Sequence, residues 1–284
     1  MGTSSMYLGP NRSPLLPPDF DNGDNPDNPD SKPDEKSPNE QNEPTQEPQQ
    51  TNSSNENQNS NWTQAKKSMS KYASGNGGSN GRKVAVREYV KGHGGSSNAA
   101  RSAKSGIRTT INIGDFFDNV SRKGINQVLN DYKIPFEGRK PKEILNDIIN
   151  AIAPIPNTNE DAVARKALID TMSIIYEKFD DENKDISLLD SKDINIADIL
   201  ITKYFETYIY ERLLNELGSR IEKNTENSAA AAKIEKELKE YIETKVSTTL
   251  KDKPLSIINS QTKNVNILVE GLYQQCYNVL EDQL

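Results

Sequence analysis

The chain has 284 residues, 33% hydrophobic and 27% charged, with a formal net charge of −7 and one cysteine, Cys276. A single cysteine excludes an internal disulfide framework and a cysteine-built zinc site, and it fits a reducing cytosol. No apolar run approaches the roughly eighteen residues of a membrane span, and no charged-then-apolar leader opens the chain, so a cytoplasmic protein with no membrane segment is expected.

Residues 1–18 contain Pro10, Pro14, Pro17 and Pro18. Each lacks an N–H and pushes its predecessor toward extended geometry, so no helix is expected. Met6, Tyr7, Leu8, Leu15 and Leu16 give the strip more apolar content than a solvated tail needs. It suits an extended segment lying in another protein's groove. On composition alone a ragged terminus is the simpler reading.

Residues 19–80 are dominated by Pro, Asn, Asp, Gln, Ser and Gly, with almost no aliphatic side chains. Such a stretch cannot offset the entropy of ordering a chain, and a disordered spacer is expected, with a mean reach on the order of 40 Å. Trp62, Met69 and Tyr72 stand out near its end, as partner-docking spots or as a nascent helix through Lys71. Charge is segregated along this region. From Asp19 to Ser60 eleven acids face Lys32 and Lys36, whereas from Gln64 to Arg108 ten bases face Glu88 alone. Such blocks bear on partners and association rates, not on fold.

Residues 81–284 read as one α-helical, bundle-like domain, giving an all-α chain. A short helix carries Val84, Val86, Tyr89 and Val90 and ends at Gly92-His93-Gly94-Gly95, where glycine accepts a left-handed cap. Ser96 or Ser97 then caps a helix through Ala103. Ile107–Val120 follows; Thr109-Thr110-Ile111 has strand propensity, which leaves its first half ambiguous. After a helix from Gly124 to Tyr132, Pro141 opens another, with Ile144, Leu145, Ile148, Ile149 and Ile152 at helical spacing. Thr158 and Asp161 form a capping box ahead of Val163, Ala167, Ile174, Ile175 and Phe179. Beyond an acidic loop near Asp180–Asp193, Asn195 caps the longest helix, whose stripe is Ile196, Ile199, Leu200, Tyr204, Ile209, Leu213 and Leu217. Two helices close the chain, Ser228–Leu250 and about Thr262–Leu280, the last with Cys276 on its apolar stripe.

Catalytic chemistry has little to draw on. His93, the single histidine, lies between glycines in a turn and reads as solvent-exposed punctuation. The glycine clusters lack the Lys-Ser or Lys-Thr ending of a phosphate-binding loop. Carboxylates sit on charged helix faces, and no metal or cofactor is expected. The chain is therefore expected not to be an enzyme. One reactive group remains. Removal of Met1 ahead of the small Gly2 exposes an α-amine with a pKa of about 7.7–8, partly neutral near pH 7 and nucleophilic where lysines are not.

Three stretches carry a family resemblance. Gly2-Thr3-Ser4-Ser5, then Gly9-Pro10, then Pro14-Leu15-Leu16-Pro17-Pro18 resemble the start of the B-component (QatB) family of the bacterial Qat anti-phage system. The family usually has Trp after the double proline; here Asp19 and Phe20 follow. Val86–Gly95 with Ala99-Ala100-Arg101, and Asp161–Ala167, are similar to later parts of the family. The resemblance implies a defence system with an ATPase, a QatC-like homologue of cyano-deazaguanine synthase and a TatD-like nuclease. It implies that this chain binds the synthase-like component through Thr3, Ser4, Ser5, Gly9, Pro10, Pro14, Leu15, Leu16, Pro17 and Pro18. Gly2 is then the acceptor of a deazaguanine-type modification. Two alternatives stay open: a helical adaptor that is never modified, and a nucleic-acid-binding protein using residues 64–108.

Overall fold

The computed structural model describes residues 52–153, 155–178, 185–190 and 196–282. Among them the chain is all-α, with ten helices, two short 3-10 turns and no strand. The helices are α1 (Asn52–Ala73), α2 (Gly81–Gly92), α3 (Ser96–Ser102), α4 (Lys104–Lys123) and α5 (Ile125–Asp131), then α6 (Pro141–Ile152), α7 (Asn159–Lys178), α8 (Ile196–Asn224), α9 (Ser228–Leu250) and α10 (Val265–Glu281).

The long helix α8 is the axis of the fold. Its 29 residues run for about 43 Å at 1.5 Å each. Helices α1, α4, α7 and α9 pack along it. It contributes Leu200, Tyr204, Phe205, Tyr208, Ile209, Leu213 and Leu217 to the core, each no more than 1% exposed. The core is unusually rich in tyrosine, and several phenols find partners: Tyr208 donates to Glu160 (3.0 Å), Tyr204 to the Ala164 carbonyl (3.3 Å), and Tyr273 pairs with Thr110 (3.2 Å). A buried hydroxyl without a partner is costly, so these bonds fix which tyrosine sits where. Helix α4 comes close enough to its neighbours to need glycine twice. A Cβ on Gly106 would stand 2.5 Å from the Tyr208 ring, and one on Gly114 would stand 1.7 Å from the Ile258 carbonyl oxygen.

The expected disordered spacer over 19–80 requires correction from residue 52 onward. Helix α1 occupies 52–73 and lies antiparallel to α2: Tyr72 packs beside Gly81 at one end and Trp62 beside Gly92 at the other. Ala65 and Met69 are fully buried and Tyr72 is 9% exposed. Residues 62, 65, 69 and 72 recur at the three-and-four spacing of a helix face. Four contacts on one face suffice because α2 and α8 supply the other half of the interface. Composition averaged over sixty residues hides them. The glycine-rich stretch 75–81 is the turn of this hairpin, with Gly75 and Gly78 at positive φ. Residues 19–51 lie outside the described residues.

Other helix boundaries follow the sequence closely. Pro141 opens α6, and its five expected apolar residues are all buried. The capping box of α7 is reciprocal: Thr158 Oγ1 accepts from the Asp161 N–H (3.0 Å), and Asp161 Oδ2 accepts from the Thr158 N–H (3.1 Å). Cys276 is fully buried, as its place on the α10 stripe required. Four details differ. Thr109-Thr110-Ile111 is helical, because Thr110 returns its hydroxyl to the Gly106 carbonyl and Ile111 enters the core. Ile199, placed on the inward stripe of α8, is 47% exposed, and Ile174 is half-buried. The 3-10 turn Ile186–Asp190 interrupts the expected acidic loop and buries Ile186 and Leu189. Phe179 and Asn195 lie outside the described residues.

The starts of α3, α4 and α5 are capped from elsewhere in the fold, whereas α7 and α9 carry local caps. Neither Ser96 nor Ser97 caps α3; Gly95 precedes it, and the Ser96 N–H donates to Glu281 of α10 (2.8 Å). The Ser105 N–H in the first turn of α4 donates to Glu160 of α7 (2.9 Å), and the Ile125 N–H of α5 donates to Asp190 (2.6 Å). Orphan N–H groups at a helix start favour anionic partners, so each carboxylate both caps a helix and ties two distant segments together.

Candidate functional site

The acceptor Gly2 and the partner-binding residues Thr3, Ser4, Ser5, Gly9, Pro10, Pro14, Leu15, Leu16, Pro17 and Pro18 lie outside the described residues. What the structure describes is the body downstream of that strip, beginning with the α1–α2 hairpin.

The hairpin is fastened to the body at its open end. The His93 ring sits 5.0 Å from both the Trp62 and Tyr89 rings, edge to face. Its Nε2 is 2.9 Å from Glu216 Oε2 of α8, although the approach lacks the alignment of a hydrogen bond. The His93 side chain is only 10% exposed. This corrects the expectation of a solvent-exposed turn residue. Gly92 allows the contact: a Cβ there would stand 3.2 Å from the Trp62 indole. Behind His93, Arg212 is 7% exposed and donates to the Ala99 carbonyl (2.9 Å) and to Ser102 Oγ (2.8 Å), with Glu216 Oε1 at 3.5 Å. One guanidinium thus ties α3 to α8. Burial, and after it the Glu216 charge, push the Tyr89 phenol well above its ordinary value, so it stays protonated. Arg212 also donates to the Tyr277 hydroxyl of α10 (3.4 Å), so His93, Glu216 and Arg212 bring α2, α3, α8 and α10 together. Sequence reasoning missed Glu216 and Arg212, which look like any other charged residues of a long helix.

The basic segment 64–108 is spread over α1, α2, α3 and α4, and several of its bases have partners within the fold. Arg82 bonds the Glu237 carbonyl (3.3 Å) and lies over the Tyr241 ring (5.1 Å). Arg108 is paired with Asp161, and Arg101 bonds Asn98 (3.4 Å). Asp161 is held down to about 2 by the Ser105 hydroxyl first, with Thr158, the Asn157 N–H and Arg108 adding to it. The other bases of the hairpin remain at its surface. Lys66, Lys67, Lys71 and Lys83 are exposed, while Arg87 and Lys91 share Glu88 at 2.9 and 3.6 Å.

A cleft of about 610 Å³ lies between α6 and α7, floored by Ile149 and Ile169. Its polar rim is already engaged: Arg165 bonds Asn150 and the Ala153 carbonyl, and Tyr176 bonds Asn146. Burial pushes the Cys276 thiol far up, which suits a core side chain rather than a nucleophile. Among the described residues no group of three or more His, Cys, Asp or Glu side chains is placed to hold a metal ion. No helix among them is long and apolar enough to cross a membrane.

Comparison with known proteins adds one match. Residues 94–280, roughly two thirds of the chain, match the family described as Qat anti-phage system associated protein QatB. No curated protein and no solved structure matches the chain. The matched residues begin at the turn after α2 and end in α10. They therefore take in the α8 axis, the carboxylate-capped helices and the Arg212 anchor, and this chain belongs to the QatB family, a component of the Qat anti-phage system.

Proposed function

We propose that this chain is a non-enzymatic acceptor and docking component of the Qat system. Its strip at residues 2–18 enters the active centre of the synthase-like C component, and the α-amine of Gly2 takes up an activated deazaguanine carboxyl group. The observation that carries this reading is the opening motif Gly2-Thr3-Ser4-Ser5 with Gly9-Pro10 and Pro14–Pro18, borne by a chain of the QatB family.

The chemistry is simple. After loss of Met1 the amine has a pKa of about 7.7–8, so a useful fraction is neutral at pH 7. Its lone pair attacks the ATP-activated carboxyl carbon. A C–N bond forms, the C–O bond to the phosphate-bearing leaving group breaks, and the amine gives up a proton. Gly2 offers no side chain to obstruct a narrow pocket, and four prolines limit the conformations that Met6–Pro18 must lose on binding. The described fold begins at Asn52, so residues 19–51 connect strip and body. The fifty residue steps from Gly2 to Asn52 span at most about 180 Å, which bounds how far from the body the amine can reach. Attachment to a body that also touches the enzyme raises the local concentration of the strip.

Co-purification of the synthase-like component with the intact chain and with a chain lacking residues 2–18 tests the docking. Loss of the complex on deletion, with the helical circular dichroism signal unchanged, assigns docking to the strip. Retention assigns it to the body. Absence of a complex with the intact chain overturns the reading.

A further inference from the structure

We propose that the outward face of the α1–α2 hairpin binds the phosphate backbone of nucleic acid, without reading its sequence. This stands apart from the acceptor role of Gly2 and uses different residues. Between residues 59 and 92 the chain carries seven bases and one acid, Glu88. The hairpin buries Ala65, Met69 and Tyr72 of α1 and Ala85, Val86 and Tyr89 of α2. Lys67 and Lys71 stand exposed on α1 and Lys83 on α2; Lys91 is half-exposed, and Arg87, 17% exposed, lies against Glu88 on the same side of α2. The α2 bases stand at i, i+4 and i+8, about 6 Å apart along the axis. That is close to the separation of successive phosphates along a strand.

The same face is poor in what a protein partner needs. Protein interfaces draw their energy from aromatic and aliphatic anchors sunk into pockets. Among the described residues the exposed large apolar side chains are Tyr132, Ile155, Ile169, Ile199, Ile257 and Ile267, and none lies on the hairpin. Trp62 is turned against Gly92 and His93. Charge without anchors fits a polyanion, whose binding is driven by release of its counterions. Glu88 offsets part of the charge of Arg87 and Lys91, so about three to five phosphates are neutralised. At a slope of about −0.9 per phosphate, affinity falls on the order of 100-fold between 50 and 200 mM salt.

The test uses the full chain and a fluorescein-labelled twenty-nucleotide DNA, single-stranded and duplex, read by anisotropy at 50 and 200 mM KCl. The expected result is binding at 50 mM that weakens on the order of 100-fold at 200 mM. The triple variant K67E/K71E/K83E is expected to bind at least tenfold more weakly. K223E/K233E/K236E, which makes the same charge change at the exposed end of α8 and on α9, is expected to bind as the wild type does. Circular dichroism melting checks that both variants are folded. Absence of binding at 50 mM, or equal weakening in the two variants, overturns the proposal. Binding seen only after deletion of residues 19–47 also overturns it, because the chain's own carboxylates then outcompete nucleic acid for this face.

Discussion

Replacing Met69 with alanine discriminates between α1 as a core element and residues 52–80 as a spacer. Met69 is fully buried, on a helix that packs against α2 and α8. Truncating a buried methionine to alanine costs about 2–5 kcal/mol from lost transfer free energy and the cavity left behind. For a folded body of 150–250 residues, each kcal/mol moves Tm by about 2–4 °C. Met69→Ala should therefore lower Tm by about 5–15 °C in thermal melts followed at 222 nm. Lys67→Ala, two residues away on the outward face, should change stability by no more than about 0.5 kcal/mol. A Met69→Ala melting temperature within about 1 °C of the wild type would refute the packing of α1 and restore the spacer reading.

Three further outcomes follow from the packing. Gly114→Ala should destabilise or prevent folding, because its Cβ meets the Ile258 carbonyl oxygen at 1.7 Å and only backbone movement can relieve that; expression and Tm read it directly. Asp161 lies at about 2 in the folded chain against an ordinary 3.8. Its stabilising contribution is thus complete above about pH 4 and lost as pH falls toward 2; Asp161→Asn should be less stable at pH 7 and should lose less between pH 4 and 2.5 than the wild type in melts across that range. The Cys276 thiol should resist a disulfide-exchange reagent at pH 8 in the native chain and react fully in urea, since burial both covers it and holds it protonated.

Helices whose apolar residues repeat strongly were readable directly. Pro141 with Ile144, Leu145 and Ile148 marks α6, and Thr158 with Asp161 marks the start of α7, because each signal is local and each bond is made within a few residues. Helix α1 was not readable at its true extent. Its apolar positions are diluted by Asn, Ser, Gln and Lys, and most of its stability comes from α2 and α8. The caps of α3, α4 and α5 were equally hidden, since Glu281, Glu160 and Asp190 lie between about 55 and 185 residues from the N–H groups they accept. The same distance hid the His93–Glu216 and Arg212–Ala99 contacts. A turn histidine and a helix arginine acquire their roles only when α2, α3 and α8 meet. The strip at residues 2–18 precedes the matched residues 94–280, and its reading as an acceptor comes from the sequence resemblance alone.

The central claim is that Gly2 is an acceptor. It is tested most directly by the mass of the tryptic peptide Gly2–Arg12 from chain co-expressed with the synthase-like component. The account predicts loss of Met1 and a deazaguanine-sized addition localised to the Gly2 amine, absent when the synthase-like component is omitted. A free, unmodified Gly2 amine in cells where the system is active against phage would contradict it.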